Sequence, residues 1–358
     1  MNVLLVFWGK TGGIPKFTYE MADGLVRAGY NVYAVLSENI YNREEWDSNK
    51  KIKDICYIYT GDSKSFLKAS LKMLTSTKRY IKDYFNGIEF DVSICTMPYP
   101  WCRTISSYLG VKKSYIICHD PIAHSGANRF LSYLIERSTK GYDDVIVMTK
   151  KFIPIVKQKY KYSIDKIHYM RHGKYGYQKV NITGENNDKI RFLFFGSIHK
   201  YKGIGILLKA YKIVCEKTDN VSLTIAGKGD LDPFKDDLNK VEVELINRFI
   251  DDAEIGPLFS IPNTVVVLPY LDATQSGVIP VAMEYGVPII ASNTGGLKEQ
   301  LFDGELGVFF KTKDYGDLAE KMLCFVNDSN LLEKQRLINN KLLELLDWKV
   351  ILRNLLEG

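Results

Sequence analysis

The stretch Phe194–Gly203, which reads FFGSIHKYKG, decides the fold of the second half of the chain. An apolar run that is typical of a buried strand stops at Gly196, and a short loop with one histidine and two lysines leads into an amphipathic helix. A strand, a short loop and a helix in this order form a unit of a parallel sheet. Ile225–Gly229, IAGKG, ends a second such strand.

The same alternation of apolar runs and helical stretches continues on both sides of this unit. Between the two series the polar stretch Gly173–Lys189 reads as a linker. The pattern predicts an α/β protein with two Rossmann-like domains that face each other across a cleft. We expect an N-terminal domain at 1–175 and a C-terminal domain at 183–344, with a C-terminal helix at 345–358 that packs back onto the first. The predicted strands are Val3–Trp8, Asn31–Leu36, Ile55–Tyr59, Val92–Cys95, Ser114–Cys118, Asp144–Met148, Arg191–Phe195, Ser222–Ala226, Thr264–Leu268 and Val287–Ser292.

Composition supports two globular domains. The chain has 358 residues, of which 46% are hydrophobic and 25% charged, and this excludes disordered, collagen-like and coiled-coil proteins. We find no basic leader and no apolar run of about 18 residues, and the six cysteines are scattered. These features favour a cytoplasmic protein with reduced thiols.

The two halves carry opposite charge. Residues 1–175 hold 27 basic and 16 acidic residues, a net +11, whereas residues 176–358 hold 21 and 26, a net −5. A basic first half suits an anionic partner, although a general preference for lysine explains it equally well. We expect no nucleic-acid binding, because no basic patch interleaved with aromatic residues occurs.

Three loops of the second half carry the candidate site. Cations cluster after Gly196 up to Lys202, and two glycine-rich strand ends face the same edge of one sheet, where α/β proteins bind ligands. Amides and ammonium groups that converge there suit a diphosphate. Ser276, in LPYLDATQSGVIP, is predicted to be the N-cap of the next helix, with the following amides as an anion site.

In order, FFGxxxxxKG, IAGxG, LPYxxATQSGVIPxAxxxGxPIIAS and GGLxE resemble the retaining nucleotide-sugar glycosyltransferases of family 4, which have the GT-B fold. The resemblance covers Arg191 to Glu299. The first half matches loosely, through the Gly12–Gly13 turn and His119-Asp120-Pro121. The ATQSG form is similar to a branch that is common in bacterial surface-polysaccharide synthesis.

The resemblance implies a role for each candidate residue. Lys202 and His119 are the implied catalytic residues: Lys202 would hold the diphosphate, and His119 would contact the donor sugar near the reacting carbon. Gly12 and Gly13 would contact the acceptor. The implied donor-binding residues are Gly196, Ser197, Gly227, Gly229, Thr274, Gln275, Ser276, Gly277 and Glu284.

Two departures from the family pattern affect the donor contacts. Members often carry Glu-x7-Glu, and the corresponding positions here are Ala273 and Val281; Glu284 is a candidate replacement for the ribose contact. Members also often carry arginine where this chain has Ser197, and the neighbouring His199 and Lys200 are candidate sources of the missing charge.

Several motifs have other interpretations. His119 is either a sugar contact, a structural histidine, or a metal ligand with Asp120 and His124. The Gly12–Gly13 turn is either a ligand site or a tight connection. We interpret Asp230-Leu231-Asp232 as a loop or N-cap, since enzymes with the GT-B fold are typically independent of metals.

A basic segment in the first half suggests a membrane partner. Lys64, Lys68, Lys72, Lys78, Arg79 and Lys82 alternate with apolar residues at helical spacing. Such a helix either rests on an anionic membrane or is solvated on one side. The resemblance implies a hexosyl-type glycosyltransferase of bacterial polysaccharide synthesis that is retaining and needs no metal or cofactor. We expect it in the cytoplasm, either free or peripheral on the inner face of the plasma membrane. Its substrates would be a nucleotide sugar and a glycan or polyprenyl-diphosphate-linked acceptor. The alternative is a non-catalytic subunit that binds nucleotide sugars or acts as a scaffold.

Overall fold

A computed structural model describes residues 1–61, 66–122, 129–177 and 189–358. The chain forms two compact units, Met1–Gly173 with Asp347–Gly358, and Lys174–Leu346. The predicted limits were 175 and 183, and residues 178–188 of the predicted linker lie outside the described ranges.

The first unit is a sheet of seven parallel strands in the order β3-β2-β1-β4-β5-β6-β7. Its central strands are buried on both faces, which is why they read as apolar runs, whereas its two edge strands are partly exposed. The strands are β1 (Asn2–Phe7), β2 (Asn31–Ser37), β3 (Asp54–Ile58), β4 (Val92–Cys95), β5 (Lys113–Cys118), β6 (Asp144–Val147) and β7 (Ile167–Tyr169). The helices are α1 (Gly13–Arg27), α2 (Arg43–Ser48), α3 (Phe66–Leu74), α4 (Ser76–Tyr84), α5 (Cys102–Tyr108), α6 (Arg129–Thr139) and α7 (Ile153–Tyr160).

The second unit is a sheet of six parallel strands in the order β10-β9-β8-β11-β12-β13. The strands are β8 (Ile190–Phe195), β9 (Val221–Ala226), β10 (Glu244–Ile246), β11 (Thr264–Leu268), β12 (Ile289–Ser292) and β13 (Val308–Phe310). The helices are α8 (Ile204–Cys215), α9 (Lys235–Leu238), α10 (Asp252–Phe259), α11 (Val278–Glu284), α12 (Leu297–Gln300), α13 (Tyr315–Asn327) and α14 (Ser329–Leu342). The last helix, α15 (Trp348–Glu357), belongs to the first unit. Short 3-10 helices lie at Lys150–Phe152, Ile164–Lys166, Lys200–Lys202, Asp232–Phe234, Phe302–Gly304 and Leu343–Leu346.

Both strand orders are those of doubly wound sheets, so the predicted α/β class is confirmed. In each sheet the order reverses beside the first strand, between β1 and β4 and between β8 and β11. Ligands of such sheets bind outside the carboxyl ends of the strands at this point.

Some predicted boundaries are wrong. Helix α1 begins at Gly13 rather than Pro15, and α11 begins at Val278 with Gly277, not Ser276, as its N-cap. The stretch Asn239–Asp251, whose elements the sequence did not resolve, contains the short edge strand β10.

Helix α15 packs on α1 through a buried tryptophan. Trp348 is fully buried, and its ring centroid lies 5.1 Å from that of Phe17 in an edge-on contact. A Cβ atom at Gly24 would lie 2.3 Å from the Trp348 Cβ, and a Cβ at Gly173 would lie 2.3 Å from its ring. Glycine at these two positions therefore makes the close contact possible.

Candidate functional site

The candidate donor-site loops of the second unit follow β8, β9 and β11. These three strands are neighbours in the order β9-β8-β11, and their carboxyl ends share one edge of the sheet. The structure thus brings Gly196 and Lys202, the Gly227–Gly229 turn and the Thr274–Gly277 stretch to one side of the second unit.

The loops after β8 and β9 continue the strand pairing beyond the sheet. The Gly196 amide donates to the Ala226 carbonyl at 3.0 Å, and the Ile198 amide donates to the Lys228 carbonyl at 2.9 Å. Ile198 and Gly229 form a parallel bridge. The two loops are therefore fixed against each other.

Gly227 and Gly229 have a packing role in this contact. A Cβ atom would lie 1.9 Å from the Gly196 carbonyl oxygen at Gly227, where φ is +145°, and 2.2 Å from the Ile198 carbonyl oxygen at Gly229. Larger residues would push the loops apart. The contact of these glycines with the donor stays a prediction.

Lys202 lies at the end of a 3-10 turn, with its ammonium 3.8 Å from the ring centroid of Tyr270. This is a cation–π contact with a fully buried ring. Two backbone features hold the turn against the loop after β11: the Leu271 amide donates to the Tyr201 carbonyl at 2.7 Å, and Gly203, at φ +72°, has no room for a Cβ. Within the described residues the Lys202 ammonium has no hydrogen bond or ion pair.

Tyr270 connects Lys202 to the start of α11. Its hydroxyl lies 3.2 Å from the Ser276 Oγ, which in turn accepts from the Val278 amide at 3.3 Å. Gln300 fixes the Ser276 backbone: its Oε1 accepts from the Ser276 amide at 2.8 Å, and its Nε2 donates to the Ser276 carbonyl at 2.7 Å. Ser276 lies one residue before the N-cap Gly277, but its Oγ accepts from the first helical amide, that of Val278, as a capping side chain does. The amide of Ser276 itself is occupied by Gln300.

The rest of the ATQSG stretch is held by the turn after β12. The Gly296 amide donates to the Ala273 carbonyl at 3.1 Å, and a Cβ at Gly295 would lie 1.5 Å from that carbonyl oxygen. Thr274 is buried, Gln275 is half-buried and Gly277 is exposed. Gly277 is thus the most accessible of the residues expected to contact the donor in this stretch.

Ala273 and Val281, the positions without glutamate, are buried at 2% and 3% exposure. Glu284 is the last residue of α11, six residues from its start, which is about 9 Å along a helix. The structure therefore does not place Glu284 with Ser276 and Gly277 at the other end of this helix.

In the first unit, His119 directly follows β5 and is 5% exposed. Its Nε2 lies 2.7 Å from the Thr96 carbonyl oxygen, a contact that requires the proton on Nε2. Burial lowers the pKa of His119, and the nearby Asp120 carboxylate opposes that shift. The ring is therefore neutral near pH 7.

His172 is a neighbour of His119 that the sequence did not reveal. The rings of both histidines make edge-on contacts with Phe17, at centroid distances of 5.1 Å and 5.0 Å. The His172 Nδ1 lies 2.9 Å from the Gly173 carbonyl oxygen. Burial, and after it the proximity of His119, lowers the pKa of His172 to about 4.

Gly12 and Gly13 lie between β1 and α1 and are exposed. Gly12 is the N-cap of α1 at φ +90°, and a Cβ at either glycine would meet no atom within 4 Å. The turn is open, as a ligand contact requires, but no feature identifies an acceptor.

The metal interpretations receive no geometric support from the described ranges. His124, the third candidate ligand, lies outside them, and within them no group of three or more His, Cys, Asp or Glu side chains is arranged for a metal. Asp230 accepts from the Asp232 amide at 2.9 Å, and Asp232 pairs with Lys235 at 2.9 Å, which is the predicted loop role.

The basic segment forms α3 and α4, which meet at an exposed corner. Leu71 and Leu74 are 68% and 62% exposed. Lys64 of this segment lies outside the described residues. None of the helices in the described ranges has the length and apolar character to cross a membrane. A cavity of about 580 Å³ at the corner is lined by Leu74, Thr75, Ser76, Lys78, Arg79, Lys82 and Asp83.

Residues 178–341 match the family model described as Glycosyl transferases group 1. A phosphatidyl-myo-inositol mannosyltransferase of Mycobacterium leprae is 29% identical over 154 residues, which are 42% of this chain and 40% of that protein. The capsular polysaccharide biosynthesis glycosyltransferase CapM of Staphylococcus aureus is 25% identical over 170 residues, 46% of this chain and 45% of that protein. The chain thus spans less than half the length of the curated relatives that it matches.

Solved structures match the whole chain. Anabaena HepE in complex with UDP-glucose superposes with a TM-score of 0.73 at 14% identity, covering 100% of this chain and 98% of that one. Sucrose-phosphate synthase from Thermosynechococcus elongatus has a TM-score of 0.72 at 16% identity, covering 99% and 97%. The predicted GT-B fold is confirmed, and the second unit carries the region that is similar to the group 1 glycosyl transferases.

Proposed function

We propose that the protein is a glycosyltransferase that moves a hexosyl group from a nucleotide-diphosphate sugar to a glycan or lipid-linked acceptor in bacterial polysaccharide synthesis. The observation that carries this proposal is the Lys202 ammonium. It is fixed over Tyr270 at the carboxyl edge of the second sheet, inside the family match, and no described residue neutralises it. The Tyr270 ring holds the ammonium in place, and a fixed, uncompensated positive charge at the end of a strand suits a bound anion.

The relatives support the same class of reaction. CapM is named for capsular polysaccharide synthesis, and HepE was crystallised with UDP-glucose. We transfer from these names only the substrate class, a nucleotide sugar, and the setting, assembly of a surface polysaccharide.

In the proposed reaction, the bond between the anomeric carbon of the sugar and the β-phosphate oxygen breaks. Negative charge grows on the leaving diphosphate, and a preorganised ammonium such as Lys202 stabilises that charge more in the transition state than in the ground state. The acceptor hydroxyl oxygen bonds to the anomeric carbon, and its proton passes to the departing phosphate. Attack from the face that the diphosphate leaves gives retention and needs no protein nucleophile.

The geometry of neutral His119 is compatible with a hydrogen-bonding role in this reaction. Its Nε2 proton is directed to the Thr96 carbonyl, so the ring is held in one orientation and is not a strong acid near pH 7. We therefore assign His119 a binding role toward the donor sugar rather than proton transfer.

A thermal-shift screen with UDP, GDP, ADP and their sugars, with and without Mg²⁺, tests the donor site. A ligand at about 100 times its dissociation constant stabilises the native state by about 2.7 kcal/mol. We expect a shift with one nucleotide family and no dependence on Mg²⁺. The absence of any shift with all three families would overturn the proposal.

Turnover separates the enzyme from a non-catalytic binding subunit. With the nucleotide sugar that binds, release of nucleoside diphosphate in the presence of candidate acceptors reports transfer, and the proton NMR coupling of the anomeric centre in the product reports retention. Binding without release under any acceptor would favour the subunit, for which the absence of carboxylates at Ala273 and Val281 is the supporting observation.

We also propose that α3 and α4 rest on an anionic membrane that carries the acceptor. Exposed Leu71 and Leu74 sit beside Lys68, Lys72 and Arg79, and in the described structure these cations make no ion pair. Each lysine near an anionic surface contributes about 1 kcal/mol. Hydrophobic insertion together with charge is the usual mode of such helices.

Co-sedimentation with phosphatidylglycerol and phosphatidylcholine vesicles tests this surface. We expect binding to the anionic vesicles alone, and a loss of about tenfold or more for the double variant Lys72→Glu/Lys78→Glu. Lys51→Glu/Lys53→Glu is a matched control, because both lysines are exposed in the same unit but lie outside the segment, and the change in net charge is the same. An equal loss in the control would reject α3 and α4 as the docking surface.

A further inference from the structure

Lys228 is a second cation at the carboxyl edge of the second sheet, and neither the sequence patterns nor the comparisons assign it a role. It stands between Gly227 and Gly229 in the loop after β9 and is exposed. Its ammonium makes no hydrogen bond or ion pair with any described residue. A lysine with a glycine on each side is the only side chain that this part of the loop presents.

The loop that carries Lys228 is fixed on both sides. On one side, its carbonyl accepts from the Ile198 amide at 2.9 Å. On the other, Asn247 clamps the next residue: the Asn247 Oδ1 accepts from the Gly229 amide at 3.1 Å, and its Nδ2 donates to the Gly229 carbonyl at 3.1 Å. Lys228 is therefore held in a defined backbone position rather than on a free loop.

Register places Lys228 beside Ser197. Since Ile198 pairs with Gly229 in a parallel bridge, the residues one step earlier, Ser197 and Lys228, are also neighbours across the two loops. Ser197 is exposed and offers only a hydroxyl. Among the described residues, a Cβ atom at Gly196 would meet one atom within 4 Å, a Val278 methyl carbon at 3.9 Å, which is an ordinary van der Waals contact, so the protein does not crowd this turn.

The open turn has a cation on each side. Lys228 lies toward β9, and Lys202 lies toward β11, where it contacts Tyr270. Neighbouring strands are about 4.8 Å apart, so β9 and β11 are about 10 Å apart, a gap that two lysine side chains reach across. A diphosphate carries at least two negative charges, and one lysine does not balance them.

We propose that Lys228 binds the diphosphate of the nucleotide sugar together with Lys202, and so supplies the positive charge that Ser197 does not. This inference rests on the proposed function. Two other basic residues of the β8 loop fit less well: the His199 ring stacks on the Tyr201 ring at a centroid distance of 5.7 Å, and Lys200 begins the 3-10 turn that follows.

Isothermal titration of the Lys228→Ala variant with the nucleoside diphosphate that the wild type binds, and with its nucleoside, tests the assignment. A hydrogen bond to a charged group is worth about 1.5–3 kcal/mol, so the dissociation constant of the diphosphate should rise about tenfold or more, while that of the nucleoside stays within about twofold. Lys209→Ala, an exposed lysine on α8 in the same unit, is the charge-matched control. EDTA in the buffer excludes a bridging metal.

A rescue variant adds a readout that a loss of folding would not give. Ser197→Arg in the Lys228→Ala background returns a cation to the neighbouring position and should restore most of the affinity for the diphosphate. Equal weakening of nucleoside and diphosphate, or a Lys228→Ala variant that behaves like Lys209→Ala, would refute the role of Lys228 and leave the proposed function intact. If the wild type binds no nucleoside diphosphate, the proposed function itself fails, and this inference fails with it.

Discussion

Two glycines at the start of α8 should respond in opposite ways to the same substitution. Gly203 has φ +72°, and a Cβ there would lie 1.8 Å from the Pro269 carbonyl oxygen. Gly205 is helical, and its Cβ would meet only the Phe234 ring at 3.6 Å, an ordinary contact. Gly203→Ala should therefore destabilise the second unit, and Gly205→Ala should stabilise it.

The size of each effect follows from this geometry. A side chain on a residue in the left-handed region lowers the free energy of unfolding by about 1–3 kcal/mol. The shift of the backbone that would relieve the contact with the Pro269 oxygen lowers it by about 1–3 kcal/mol more. An alanine in place of glycine inside a helix gains about 0.5–1 kcal/mol. In a domain of this size each kcal/mol shifts the melting temperature by about 2–4 °C, so we expect a fall of about 10 °C for Gly203→Ala and a rise of a few degrees for Gly205→Ala.

The positions of the tryptophans allow the unfolding of each unit to be followed separately. All four tryptophans belong to the first unit, so their emission follows that unit, and hydrogen-exchange mass spectrometry of peptides around β8, α8 and β11 follows the second. The four are Trp8, Trp46, Trp101 and Trp348.

Nucleotide binding connects this stability test to the site. Because Gly203 holds Lys202 against the loop after β11, Gly203→Ala should also weaken binding of the nucleoside diphosphate, whereas Gly205→Ala should leave it unchanged. Faster exchange and weaker binding in both variants, or in neither, would show that the close approach of Gly203 to Pro269 does not set the position of Lys202.

Three further substitutions give separate tests. Lys202→Ala should raise the dissociation constant of the nucleoside diphosphate about 10- to 100-fold by calorimetry with an unchanged melting curve, and an unchanged constant would remove Lys202 from the donor site. Trp348→Ala should cost about 3–5 kcal/mol in urea unfolding followed by the remaining tryptophans, against less than about 0.5 kcal/mol for the exposed Val350→Ala on the same helix; similar values for both would contradict the packing of α15. Burial lowers the pKa of His172 to about 4 in the folded protein, so the unfolded chain takes up this proton at a higher pH than the folded chain does. The free energy of unfolding should therefore fall by about 3 kcal/mol between about pH 6.5 and pH 4, and it should fall by less in the His172→Asn variant.

The long buried strands were readable from the sequence because each is an apolar run bounded by glycine or polar residues. Predicted Val92–Cys95 and Thr264–Leu268 coincide with β4 and β11 to the residue. Strand β10 was not resolved, since Glu244 and Leu245 at the sheet edge are exposed and form no apolar run. A short edge strand is defined by its neighbour, and a single-sequence pattern does not contain that neighbour.

Contacts between residues that are far apart along the chain could not be predicted from the sequence for a related reason. Gln300 binds the backbone of Ser276 from 24 residues away, and His172 reaches Phe17 beside His119 only because β5 and β7 belong to one sheet. Neither pairing has a local spacing that would mark it.

The motifs that carry the family resemblance consist chiefly of glycines, and the structure shows which feature of the fold these glycines determine. Gly203, Gly227, Gly229 and Gly295 each stand where a Cβ would lie within 2.2 Å of a backbone oxygen of a neighbouring loop. They specify how closely the loops approach, and loops in the same arrangement can present different side chains. The pattern is therefore a strong predictor of the shape of this sheet edge and a weak one of its charge. That is why the cation expected at position 197 is better sought on the adjoining loop, which the glycines hold in place, than along the sequence on either side of Ser197.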